Sequence, residues 1–102
     1  MKGFRPHVVR DQLSFLCSPA RLRKPAFAVI SRVQNFTPGE QLLGTAVALV
    51  AMCESANISL DDAITRARNV MRDTEAAHTS HVQAIRDYAA NEIARGEEAR
   101  GL

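Results

Sequence analysis

The feature that most constrains this chain is the run that begins at Thr37-Pro38-Gly39-Glu40 and continues through residues 42–53 without a charge. Thr at a cap, Pro at the first helical position and Glu at the third form a capping box, so a helix begins at residue 38. From residue 42 to 53 only Gly44 and Thr45 interrupt the apolar side chains. A helix covered on most of its circumference by apolar residues belongs in the interior, so the pattern predicts a central helix over 38–56. The run is too short to span a bilayer. Asn57 suits the left-handed position that closes such a helix.

Ser59-Leu60-Asp61-Asp62 starts a second helix, with Ser as cap and two acids in the first turn. Leu60, Ala63, Ile64, Ala67, Val70 and Met71 recur at helical spacing to residue 72, leaving Arg66, Arg68 and Arg72 toward water. Residues 73–79 carry no periodic apolar pattern and read as a loop. Ser80 with Gln83 reads as a further capping box, and Val82, Ile85, Ala89 and Ile93 form a stripe over 81–95 that ends near Gly96. Residues 97–102 read as a flexible tail.

The first 36 residues are cut by Pro6, Pro19 and Pro25, which favours short helices. Val9, Leu13 and Leu16 share one helical face after Pro6, and Ser18-Pro19 is a cap followed by a first-turn proline. Pro25 opens a further helix toward Val33, although residues 27–33 also fit a β-branched strand. With 102 residues, no Trp and one Tyr, one core of small and aliphatic side chains is expected. The fold class is therefore all-α: a small bundle of three main helices (38–56, 60–72, 81–95) with a basic, proline-segmented N-terminal region of short helices. Its parts are a basic segment over 1–36, packed on or extending from the core, a helical core over 37–96, and the tail.

Charge divides the chain at the same boundary. Residues 1–36 hold seven basic side chains against one acid, a net +6, and residues 37–102 hold six against ten, a net −4. Such a basic segment either grips phosphates or docks on the acidic helices. Arg21, Arg23 and Lys24 form its densest cluster, without the interleaved aromatics that stack single-stranded bases. Residues 49–71 have the outline of a helix-turn-helix, and Arg66, Arg68 and Arg72 could contact a phosphate backbone. Asp61 and Asp62 stand at the helix start that would meet bases and phosphates, which favours an ordinary helical hairpin.

For metal chemistry, Glu75, His78 and His81 lie close in sequence. A di-iron bundle needs such a Glu-x-x-His twice, with further carboxylates. Cys17 and Cys53 have no metal or redox spacing, so they read as small buried hydrophobes and the histidines as solvated or capping groups. No nucleophile setting or phosphate-cradling glycine loop is present, so neither an enzyme nor a bound cofactor is expected. The basic start leads into Pro6 and His7 with no apolar run after it, so no secretory signal is expected, and the location expected is cytoplasmic, away from membranes.

Phe36-Thr37-Pro38-Gly39-Glu40-Gln41-Leu42-Leu43, Ala67-Arg68-Asn69-Val70-Met71 and Gln83-Ala84-Ile85-Arg86-Asp87-Tyr88 resemble small uncharacterised proteins of tailed bacteriophages, over residues 36–95. The resemblance carries no functional residue. It implies a product acting in the cytoplasm of an infected bacterium or packed in the virion, and small phage proteins commonly work by binding a larger partner. The function expected is a non-enzymatic binding protein acting through protein contacts or self-association, with the basic segment and the arginine side of helix 60–72 in its contact surface. The alternative is a nucleic-acid-binding or transcription accessory factor using Arg21, Arg23, Lys24, Arg66, Arg68 and Arg72.

Overall fold

The computed structural model describes residues 6–15, 18–72 and 76–99, and every regular element among them is a helix. In chain order these are α1 (Pro6–Phe15), α2 (Pro19–Arg32), α3 (Pro38–Ala56), α4 (Leu60–Met71) and α5 (Ala76–Ala99). The all-α class is as the sequence indicates, and the strand considered for residues 27–33 does not form.

Local chemistry sets the ends of α3. Glu40 N–H donates to Thr37 Oγ1 at 3.3 Å while Thr37 N–H donates to Glu40 Oε1 at 3.0 Å, the reciprocal pair of a capping box. At the other end Asn57 adopts φ 55°, ψ 45°. There Ile58 N–H reaches the Cys53 carbonyl at 2.9 Å and Asn57 N–H the Glu54 carbonyl at 3.2 Å. These two bonds are a Schellman ending, which satisfies carbonyls that the last turn would leave open. Ser59 then caps α4, its hydroxyl accepting from Asp62 N–H.

Two helices differ from the sequence reading. Pro25 does not open a new helix: it sits inside a continuous α2, whose true start is Ser18-Pro19. The ring removes the donor for one carbonyl, and the tertiary packing of α2 outweighs that loss. Ser80 is not a cap either, because α5 begins at Ala76 and Ser80 lies within it. Gln83 accordingly bonds Asp87 Oδ1 one turn on, at 2.8 Å. Ala76 and Ala77 are strong helix formers and no Gly or Pro stands between them and Ser80, so the helix extends toward its N-terminus. It also passes Gly96 and ends at Ala99.

The arrangement of the bundle differs more. The most extensive packing is between α2 and α5, and α3 packs far less closely on α4 and α5. The expected hub is thus a peripheral helix, and the basic segment supplies one of the two principal helices. The α2–α5 seam explains why. Phe27 and Tyr88 stack with centroids 4.5 Å apart, the Arg23 guanidinium lies 5.3 Å from the Phe27 centroid, and the Ser31 and Tyr88 hydroxyls share a 2.6 Å hydrogen bond. Aromatic area, a stacked pair and a hydrogen bond together outweigh what the short aliphatic side chains of α3 can offer. Val82 and Ile85 are buried on α5, and Glu92 is buried with them.

Candidate interaction surface

On α3 only Gln41, Cys53 and Ala56 are buried. Much of the rest of this apolar helix is exposed: Leu42 is 66% exposed, Leu43 68%, Val47 62% and Met52 52%, while Leu49 is half-buried. Burying one such side chain is worth about 1.5–3 kcal/mol, so leaving four in water costs a small domain a large part of its stability. Glu40 and Glu54 bound the helix, and none of the residues between them is charged. Beside α3 run open apolar grooves. One, of about 610 Å³, lies between the end of α2 and the start of α3 and is lined by Val33, Phe36, Leu43 and Val47 with Gly39, Gly44 and Glu40. Phe36 is itself half exposed.

Large exposed apolar patches are characteristic of contact sites.

The six cations singled out in the sequence are distributed differently. Arg23 is half-buried over Phe27 and its Nη1 donates to His81 Nδ1 at 3.4 Å. Arg66 pairs with Asp62 Oδ2 at 3.3 Å and donates to the Leu13 carbonyl at 3.4 Å, which closes the C-terminal end of α1. Both have structural work inside the chain. Arg21 and Lys24 on α2, and Arg68 and Arg72 at the end of α4, are exposed. Because α2 packs chiefly on α5 and α4 on α3, these two cationic groups belong to different helix pairs. The helix-turn-helix outline is present as α3, residues 57–59 and α4, with Asp61 and Asp62 exposed at the start of α4.

His78 and His81 share the first turns of α5, and Glu75 lies outside the described residues, as does Cys17. Among the described residues no three metal-ligating side chains gather, and no helix is long and apolar enough to cross a membrane. Cys53 is a free, buried thiol.

The sequence reading missed two positions. Glu92 is 3% exposed. Its place in the series 82, 85, 89, 92 was visible, and a heptad reading puts it on the buried side of α5. Arg86, which donates to the Met71 carbonyl at 2.9 Å, closes α4 much as Arg66 closes α1. No local pattern marks that role, because its acceptor is a backbone atom 15 residues away. Comparison with protein families, curated proteins and solved structures returns no match, so function is read from these residues alone.

Proposed function

We propose that the chain is a small non-enzymatic protein that works by binding protein, through the exposed apolar side chains of α3. The observation that carries this reading is the exposure of Leu42, Leu43, Val47 and Met52 on a helix with no charge between Glu40 and Glu54. An uncharged apolar face fits the desolvated centre of a protein interface and has nothing to offer phosphate. Arg21, Lys24, Arg68 and Arg72, exposed on α2 and at the end of α4, are available to acidic groups of a partner. A phage origin, suggested by the resemblance, would place the protein in a host cytoplasm or a virion.

A photoreactive amino acid at position 47, activated in cells, tests the reading. A discrete cross-linked protein species, absent when the probe stands at exposed Gln34, supports it. Absence of any protein adduct at position 47 refutes it.

The second reading is nucleic-acid binding, favoured by the four exposed cations on α2 and α4. Anisotropy of labelled duplex and single-stranded DNA across a salt series separates the two. Contacts with four phosphates give a log–log slope of about −3.6 on duplex, whereas an apolar interface responds little. No binding at low salt removes the second reading.

A further inference from the structure

We infer that the groove between α2 and α3 is a docking site for one helix of a partner protein, apolar along one side and acidic along the adjoining flank. The inference rests on the protein-binding reading above and names the chemistry of the partner.

The groove exists because α2 packs chiefly on α5 while α3 meets α4 and α5, so the sides that α2 and α3 turn toward each other stay open. Two adjoining hollows run along it. One, of about 530 Å³, has Ala28, Val29 and Val33 on the α2 side and Gly44, Ala48 and Met52 on the α3 side. The other, of about 590 Å³, continues past Leu49 and Met52, which border both, to Leu22 and Pro25. From Gly44 to Met52 the α3 wall is about 12 Å long, and from Leu22 to Val33 the α2 wall is about 17 Å. That length takes two to three turns of a helix, with anchors at i, i+3 or i+4, and i+7.

The walls select a helix over an extended peptide. Both are continuous helices, whose backbone bonds are made internally. A strand laid between them would find no ladder for its N–H and C=O groups, whereas a helix arrives with its own already paired. Gly44 and Ala48 keep the α3 wall low: a Cβ placed on Gly44 would meet nothing within 4 Å.

Charge selects the flank. Arg21, Lys24, Ala28 and Arg32 follow one another along α2 at helical spacing. All four are exposed, and Arg32 borders the groove itself. The helix holds no acid, and among the described residues no ion pair occupies Arg21, Lys24 or Arg32. The α3 bank has no charge between Glu40 and Glu54, and at the α4 end Arg66 is paired with Asp62. The groove is thus cationic along one bank only. A helix with carboxylates on one flank seats its apolar side between the walls and meets the three cations at the solvent-exposed rim. A nucleic acid would satisfy the cations and leave the apolar walls in water.

Fluorescence anisotropy of the intact chain with labelled peptides of about 18 residues decides the matter. The first peptide carries leucine at every third or fourth position and glutamate along one adjoining flank; the second has lysine for each glutamate; the third scrambles the first. At low salt the acidic peptide should bind with a Kd of about 1–50 μM, at least about tenfold tighter than the other two. Reversing the three exposed cations together (Arg21→Glu, Lys24→Glu, Arg32→Glu) should invert the preference, so that the lysine peptide binds the tighter. Ala48→Phe fills the groove and should weaken the acidic peptide by at least about tenfold while the helical circular dichroism is kept.

No saturable binding of the acidic peptide up to about 100 μM overturns the inference. So does a lysine or scrambled peptide that binds as well, a charge-reversed chain without the inversion, or an Ala48→Phe chain that binds like the parent. Labelled duplex DNA that displaces the acidic peptide and binds more tightly overturns it in favour of phosphate. A photoreactive probe at position 48 that yields only a species of twice 11.2 kDa overturns it in favour of a second copy. A groove that takes no peptide, with a position-47 probe that still captures a protein in cells, removes this inference and leaves the protein-binding reading standing.

Discussion

Replacing Tyr88 by Phe tests where the stability of this fold resides. The change removes one hydroxyl, which meets Ser31 at 2.6 Å in a part-buried site, and leaves the ring stacked on Phe27. A neutral hydrogen bond of this kind contributes about 0.5–1.5 kcal/mol net. Tyr88→Phe and Ser31→Ala should therefore each cost about 1 kcal/mol, and the double variant little more than either alone, a coupling of about 1 kcal/mol. Tyr88→Ala also loses the stack, itself worth about 0.5–1.5 kcal/mol, along with its packed area, and should cost about 3 kcal/mol. The assay is urea unfolding followed by circular dichroism at one fixed protomer concentration, since association makes the midpoint concentration-dependent. At an m-value of about 2 kcal/mol/M, each single change moves the midpoint by about 0.5 M with the slope unchanged. A coupling below about 0.3 kcal/mol, the additivity expected of distant sites, would refute the claim that this pair ties α2 to α5.

Pro25→Ala returns a backbone donor to the exposed middle of α2, and thermal unfolding should show a gain of about 1–2 kcal/mol, the helix-propensity gain less the entropy that proline removes from the unfolded chain. Thr37→Ala breaks the capping box at the start of α3 and should lower stability by about 1 kcal/mol in the same experiment. Asn57→Ala forces a β-carbon without a compensating side chain into φ 55°; a loss of about 1 kcal/mol is expected, and Asn57→Gly should be neutral or stabilising. Arg86→Met removes the donor to the Met71 carbonyl, so amide exchange should accelerate in the last turn of α4 before it does in α5.

Where an element is encoded by its own ends, the sequence was enough to read it. Thr37, Pro38 and Glu40 at one end and Asn57 at the other define α3 as Pro38–Ala56, the span observed, and Ser59 does the same for the start of α4. Where a boundary depends on packing, it was not legible. Ser80 has cap chemistry yet lies inside α5, and Pro25 has breaker chemistry yet lies inside α2, because the seam between those helices overrides both local preferences. The role of α3 was half legible. Residues 42–53 announce a helix that must be covered, and that inference treated the chain's own core as the cover. Apolar periodicity reports that a surface needs a partner and carries no information on which molecule provides it. Two of the arginines have contacts that helical spacing could not show: Arg66 reaches the end of α1 and Arg23 reaches His81 on α5, both far away in sequence.

The seam between α2 and α5 also sets a timetable for synthesis. Ser31 and Tyr88 are 57 residues apart, so the second-made helix of the chain has no principal partner until the last-made one appears. At bacterial or eukaryotic elongation rates of about 5–20 residues per second, the wait is about 3–11 s. Through that interval the nascent chain holds α2 unsatisfied beside α3, whose Leu42, Leu43, Val47 and Met52 stay exposed even when α4 and α5 are in place. On a polysome, with neighbouring copies emerging nearby, that order of events favours meetings between chains before each chain is finished.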